Sequence, residues 1–334
     1  MTEKGPVLVL VELDRDRNCL PVSLECLTLG RSLSAVLGGG LGALVMGNAA
    51  AAAAEELSRR DLDAVYRVEH PLLKAWHPEL CLAAFVQACE RIRPRAILMG
   101  DTLNAVDLAP RIAVTLNTGL VTDCVGLEFA QGEVEFLKPV YSSNVMAAYT
   151  FAAEPYLATM RSRSGSPGRK KEGSAADIIP VEVELDPATV KVEVVERFVE
   201  EDPENRLTGA DIVVSGGRGM GGPEGFRQLA ALAGVLGAAV GASRPPCDLG
   251  WAPARAQVGQ TGEKVAPGVY IAVGISGATQ HLAGMHGSRK IVAINRDPGA
   301  NIFRVADYGV VGNYEEILPA FQEALSEILD PGAA

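Results

Sequence analysis

Three glycine-bearing loops carry the residue types best suited to holding a ligand. The first, Ser215-Gly-Gly-Arg-Gly-Met-Gly-Gly222, follows an apolar run and spaces Gly217, Gly219 and Gly222 as G-x-G-x-x-G. Glycines in that pattern let backbone N–H groups approach a diphosphate, and the next helix start adds favourable partial charge. Pro223 suits the first position of that helix. An NAD site would place an acidic residue about 20 positions on. Ala242, Ser243 and Arg244 stand there instead, and Arg244 suits a 2′-phosphate. Local pattern alone therefore admits an NADP-dependent dehydrogenase. The second loop, Gln257-Val-Gly-Gln-Thr-Gly262, offers one hydroxyl and two amide side chains, as a decorated turn also would. In the third, Ile271–His281, a strand is expected to end at Gly274 and a helix to begin near Gly277. Ser276 is its natural N-cap. The N–H groups of Gly277, Ala278 and Thr279 would then face an anion, with Gln280 and His281 within reach of a ring beside it.

Other chemistries lack material. Ser276 and His281 have no acidic orienter in the pattern, and no GxSxG elbow exists. The six cysteines show no CxxC or zinc spacing and read as reduced, buried thiols. With 30 Lys and Arg against 41 Asp and Glu, the net charge is −11, which argues against a nucleic-acid backbone binder. Ser32–Ala54 and Val265–Gly287 carry no charged residue, yet both are interrupted by glycines and polar groups. They read as buried strands joined to helices, so no membrane span is expected. The N-terminus has no signal or transit pattern, and a cytoplasmic location is expected.

The elements that must position these loops follow from periodicity. Strands are expected at 7–13, 43–46, 64–68, 96–99 and 121–127, with helices at 20–31, 49–60, 77–93 and 104–116. Residues 162–174 read as a solvated loop, and 179–185 and 190–199 as half-exposed strands. Glu200–Arg206 reads as a linker, giving an N-terminal domain of 1–203 and a second of 204–334. There, strands at 211–215, 238–241, 270–273, 291–295 and 305–310 alternate with helices at 224–236, 277–285 and 314–329. Both domains are therefore expected to be α/β, each a mostly parallel sheet with helices on both faces, the second Rossmann-like.

Residues 214–311 resemble the flavin-binding domain of the electron-transfer flavoprotein alpha subunit. The likeness rests on VSGGRG (214–219), GASRP (241–245), DLGW (248–251), QVGQTG (257–262), YIAVGISGATQHLAGM (270–285), IVAINRDP (291–298) and IFRVADYGVVG (302–312). DLAPRIAVTLNTGLVTDCVGLE (107–128) and KPVYSSNVMA (138–147) extend it loosely into the first half. The resemblance implies extended FAD and a heterodimer with a beta subunit. Electrons would come from acyl-CoA dehydrogenase-type donors and pass to a quinone oxidoreductase or another acceptor. Some members instead oxidise NADH by electron bifurcation, with a second FAD where others hold AMP. By the same resemblance Arg218 and Ser243 would contact the cofactor, with Arg244 beside the flavin ring. Val258, Gly259, Gln260 and Thr261 would line ring and ribityl chain, Thr261 aimed at N5. Ser276, Gly277, Ala278, Thr279, Gln280 and His281 would hold diphosphate and ribityl, with His281 at the C2 carbonyl. Asn295, Asn313 and Tyr314 would serve the adenosine end. The family usually has Asp where Asn313 stands, and Asn313 with Glu316 also fits a helix cap. The N-terminal domain would be a scaffold shared with the beta subunit, with the 200–206 linker as hinge.

Overall fold

The computed structural model of the chain describes residues 5–130, 133–141, 145–167, 175–192, 195–196, 207 and 209–329. The chain divides into two compact units, residues 1–140 with 145–197 and residues 198–334 with 141–144. The expected linker, 200–206, and the expected boundary at 203 lie outside the described residues.

The N-terminal unit runs β1 (Val7–Val11), α1 (Pro21–Leu37), β2 (Leu41–Gly47), α2 (Ala51–Ser58), β3 (Ala64–Glu69), α3 (Pro78–Ile92), β4 (Ala96–Gly100) and α4 (Leu103–Thr115). It continues with β5 (Leu120–Cys124), β6 (Gly126–Ala130), β7 (Glu133–Val140), β8 (Val145–Tyr149), β9 (Tyr156–Met160) and β10 (Asp177–Pro180). A seven-stranded sheet of order β10-β3-β2-β1-β4-β9-β5 is parallel throughout. Strand alternation sorts the core. Val7, Val9 and Val11 of β1 pack with α1 and α2 on one face. Leu8 and Leu10 pack with α3 and α4 on the other. Both faces are covered, which is why β1 reads as an unbroken apolar run.

Three expectations are corrected here. Residues 121–127 are not one strand: Asp123 takes a left-handed turn at φ 59, held by two Arg161 hydrogen bonds of 2.8 Å. β5 therefore stays in the parallel sheet, while β6 leaves to join β7 and β8 in an antiparallel sheet that the sequence reading did not contain. Of 179–185, only the start is strand, within β10. A short 3-10 turn, Pro187–Thr189, then replaces the strand expected from 190; among the described residues of 190–199 there is none. The alternation of charged and apolar residues there imitated a strand. The loop at 162–174 is described to 167. Its start is fastened to α1, where the Arg163 N–H donates to the Glu25 carboxylate and Thr28 Oγ1 donates to the Ser166 carbonyl at 2.7 Å.

The C-terminal unit runs β11 (Ile212–Gly216), α5 (Pro223–Leu236), β12 (Ala239–Ala242), α6 (Arg244–Asp248), β13 (Val269–Val273), α7 (Thr279–Met285), β14 (Lys290–Asn295), β15 (Tyr308–Val311) and α8 (Tyr314–Leu329). Its five-stranded sheet, order β12-β11-β13-β14-β15, is also wholly parallel. Of the segment expected as strand at 305–310, the second half is strand, within β15, and a 3-10 turn at Asn301–Arg304 precedes it. The chain leaves β11 for β12, then returns past β11 to β13. The order reverses there, so the carboxyl ends of β11 and β13 form the crevice where open α/β sheets bind ligands.

Five of the six cysteines are buried. Burial pushes the thiols of Cys19 and Cys81 up to about 11 and those of Cys89 and Cys124 to about 12. Among the described residues no cluster of His, Cys, Asp and Glu could hold a metal ion. No described helix is long and apolar enough to cross a membrane.

Candidate functional site

The three glycine loops meet at this carboxyl edge, tied to one another by backbone hydrogen bonds. The Gly217 N–H donates to the Val273 carbonyl at 2.8 Å, and the Gly219 N–H to the Gly274 carbonyl at 3.0 Å. The Ser243 N–H reaches the Gly216 carbonyl at 2.9 Å, and the Val258 N–H the Ala242 carbonyl at 2.8 Å. The Gln260 N–H reaches the Gln280 carbonyl at 2.8 Å. These crossings explain the glycines. A Cβ on Gly217 would lie 2.1 Å from the Gly274 oxygen, and Gly274 itself sits at φ 62. Gly277, at φ 80, would meet the Ile302 nitrogen at 2.2 Å, and Gly284 the Gly259 nitrogen at 2.4 Å.

This counts against the NADP reading. In a dinucleotide fingerprint the second glycine is the one that lets the backbone approach the diphosphate, the first serving a tight turn. Here Gly274 fills the space beside Gly217 and Gly219. The G-x-G spacing serves loop packing, while Pro223 does open α5 as expected.

The helix expected from Gly277 begins at Thr279, with Ala278 rather than Ser276 before it. Positive φ at Gly277 turns the chain out of helical geometry. The anion-facing groups nevertheless survive. Among the described residues, the N–H groups of Gly277, Ala278, Thr279 and Gln280 take no backbone acceptor. Ser276, Ala278, Thr279 and Gln280 are exposed, as are Arg218, Arg244, Gln260 and Thr261. A consecutive run of free donors with cations on the same edge is what a diphosphate requires. The residues present therefore fit FAD.

His281 is held from both sides of its ring. It is only 5% exposed, its Nδ1 lies 3.0 Å from the Val258 carbonyl and its Nε2 lies 2.9 Å from the Tyr270 hydroxyl. Burial pushes its pKa down to about 4, so the ring is neutral at pH 7. Both ring nitrogens lie within hydrogen-bond distance of protein groups. Ser243, Val258 and Gly259 are buried. The Thr261 hydroxyl accepts a hydrogen bond from Gln257 Nε2 at 3.0 Å, leaving its own proton available.

At the other end, Asn295, Asn313 and Tyr314 line one cavity of about 60 Å³ with Gly219 and Gly274. Asn295 Nδ2 donates to the Ile275 carbonyl at 2.8 Å, and the Tyr314 hydroxyl donates to the Met220 carbonyl at 2.9 Å. Asn313 caps α8 through its backbone carbonyl, which accepts from Glu316 and Ile317. Arg296 borders the same cavity and was missed by the sequence reading, as were Tyr270 and Gly274. For Tyr270 a signal existed: one large aromatic inside a strand of small aliphatics. A cavity of about 540 Å³ lies in the N-terminal unit, lined by Glu12, Asn48, Trp76 and Asn104 among others. None of the expected site residues borders it.

Two family models match. The electron transfer flavoprotein domain covers residues 7–186, and the electron transfer flavoprotein FAD-binding domain covers residues 206–286. The electron transfer flavoprotein subunit alpha of Bacillus subtilis is 38% identical over 323 residues, 96% of this chain and 98% of the relative. That of Thermoanaerobacterium thermosaccharolyticum is 38% identical over 321 residues, 94% and 96%. Protein FixB of Azorhizobium caulinodans is 36% identical over 331 residues, 97% and 89%. These matches span both units, and the free-donor loop falls inside the cofactor-binding match. The chain belongs to the electron transfer flavoprotein alpha-subunit family, and FAD is its cofactor.

Proposed function

We propose that this chain is the FAD-bearing half of a heterodimeric cytoplasmic electron carrier. It takes electrons from an acyl-CoA dehydrogenase-type donor and hands them to a quinone oxidoreductase or another acceptor. The single observation that carries the site is the run of unpartnered N–H groups from Gly277 to Gln280, beside the exposed Arg218 and Arg244.

Bound FAD supplies the redox chemistry; the protein sets its placement and its electrostatics. Gly277–Gln280 would hold the diphosphate through backbone donors. Asn295, Asn313 and Tyr314 would border the adenosine end. The exposed Arg244 guanidinium would place positive charge at the ring side, and the Thr261 hydroxyl would donate to a ring nitrogen. Arg244 pairs with Asp248 at 3.2 Å, but both side chains are largely exposed, so the pair is weak and the arginine can turn to a ligand. His281, tied to the Val258 carbonyl and the Tyr270 hydroxyl, would stand at the flavin C2 carbonyl, as the resemblance implies. The N-terminal domain, 1–203, would be the scaffold on which the beta subunit packs, and 204–334 the cofactor domain.

Co-expression with the beta subunit tests the reading. A yellow complex holding one FAD on this chain, reduced by an acyl-CoA dehydrogenase supplied with its acyl-CoA, is expected. A colourless complex that takes up no FAD would overturn it. Reduction by NADH, with a second FAD in the complex, would mark a bifurcating carrier instead.

A further inference from the structure

The N-terminal unit holds a cavity that the flavin site does not use. Its volume of about 540 Å³ suits a small-molecule ligand. It lies at the carboxyl ends of β1 and β2, bordered by residues 10–14 and 46–49. In the sheet the chain steps outward from β1 through β2 to β3, then crosses back to place β4 on the other side of β1. β1 and β4 therefore flank the reversal, where open α/β sheets take ligands. Glu12 stands there, just past β1, and is only 8% exposed. Thr102 Oγ1 donates to one of its carboxylate oxygens at 2.6 Å, and Asn104 Nδ2 to the other at 3.0 Å. Burial raises its pKa, and among the described residues no cation pairs with it. Each oxygen keeps a second lone pair. A buried carboxylate with no counter-charge is costly unless further donors reach it. Glu12 and Asn104 border the cavity, so a molecule filling it can supply them.

The opposite charge gathers at the rim. Residues 14–18 form a tight turn, in which the Asp14 N–H donates to the Asn18 carbonyl at 2.9 Å and the Asn18 N–H to the Asp14 carboxylate at 2.8 Å. The turn occupies Asp14 and sets Arg15 and Arg17 on the cavity border. Lys74 joins them from the 3-10 turn after β3. All three are exposed, and among the described residues none makes an ion pair. Also on the border, the N–H groups of Asn48 and Ala49 take no backbone acceptor among the described residues, and α2, which follows, has no side-chain cap. Trp76 adds an aromatic surface. We propose that this crevice is a nucleotide site separate from the FAD site and that it takes a nucleoside diphosphate. Ribose hydroxyls donate to Glu12, the base lies against Trp76, and the diphosphate meets Arg15, Arg17, Lys74 and the N–H groups of Asn48 and Ala49. Bare phosphate, which brings no hydroxyl pair, would leave Glu12 uncompensated. Three unpaired cations beside free backbone donors suit two phosphates better than one. All of these residues belong to the N-terminal unit, so the ligand binds whether or not FAD is present.

The test irradiates the FAD-loaded heterodimer with an azido-ADP photoprobe and maps the labelled peptides of this chain by mass spectrometry. Label is expected on peptides carrying residues 46–49 or Trp76, and excess ADP is expected to abolish it. Arg15→Ala with Arg17→Ala should cut the label at least about tenfold while the flavin absorbance stays unchanged. Glu12→Gln, which keeps the shape of the side chain, should cut it about tenfold as well. If that variant fails to fold, the exposed arginine pair still decides. No label on this chain, or label that the arginine pair leaves undiminished, would overturn the proposal. Inorganic phosphate competing as well as ADP would also overturn it, marking a bare anion site. If the complex takes up no FAD, the functional reading fails, yet the label on this chain still decides the crevice.

Discussion

At the residue scale, the site divides labour between one exposed cation and one buried base. Arg244 is free to approach a ligand, and charge near a developing anion favours electron uptake. Arg244→Ala should leave FAD bound yet lower the flavin midpoint potential by roughly 60 mV, a tenfold change in a one-electron equilibrium. A spectroelectrochemical titration with no shift would remove Arg244 from the ring side. His281 makes a different prediction, concerning acid. Its folded pKa is pushed from 6.5 down to about 4. The unfolded chain binds the proton first, so the stabilisation is present in full above pH 6.5 and is lost as pH falls towards 4. The window is worth about 3 kcal/mol. Thermal melts of His281→Gln should be flatter between those two values than melts of the unaltered chain.

At the element scale, the carboxyl edge is a set of mutually crossing loops. Gly217 and Gly221 are four residues apart in one glycine cluster, yet they answer to different physics. Gly217 faces the Gly274 carbonyl, whereas Gly221 has φ 72 and open space around it. Gly217→Ala should cost about 3 kcal/mol by overpacking and loosen FAD. Gly221→Ala should cost roughly 1–2 kcal/mol of backbone strain alone. Urea unfolding with the order reversed would contradict the crossing. The same contrast shows what the sequence could carry. Runs such as Val7–Val11 and Ile212–Gly216 were legible because both faces of a parallel sheet demand apolar side chains. α8 was legible through its periodicity and its acidic first turn. The start of α7 was not, because Gly277 meets Ile302 from a loop far along the chain, and no local pattern reports that. Nor was the break at Asp123, whose left-handed turn depends on Arg161. The three antiparallel strands were missed although Gly132 and the Ser142-Ser143-Asn144 run between them are turn-type residues. Among site residues, Ser276 was misread as a cap for a tertiary reason, whereas Asn295 and Tyr314 do line one cavity with the glycine loops.

At the scale of the whole molecule, the chain carries surface that a lone monomer would not favour. Along α4, Leu103 is 91% exposed, Val106 55% and Val114 82%, and their spacing sets them on one stripe. We assign that stripe to the proposed beta subunit. Leu103→Lys with Val114→Lys should leave the N-terminal unit folded but weaken the heterodimer at least about tenfold, read by analytical ultracentrifugation. Unchanged association would place the partner elsewhere. The buried thiols have a consequence for how such a carrier ages. Reduced flavins that meet dioxygen release peroxide, and a cysteine reacts with it only as the thiolate, which attacks one peroxide oxygen and expels hydroxide. With pKa values of about 11 and 12, Cys19, Cys81, Cys89 and Cys124 keep on the order of one part in ten thousand or less in that form at neutral pH. The half-buried Cys247, three residues past Arg244, is the more accessible target. Among the cysteines, oxidative wear should begin there, beside the cofactor, while the scaffold's buried thiols stay reduced.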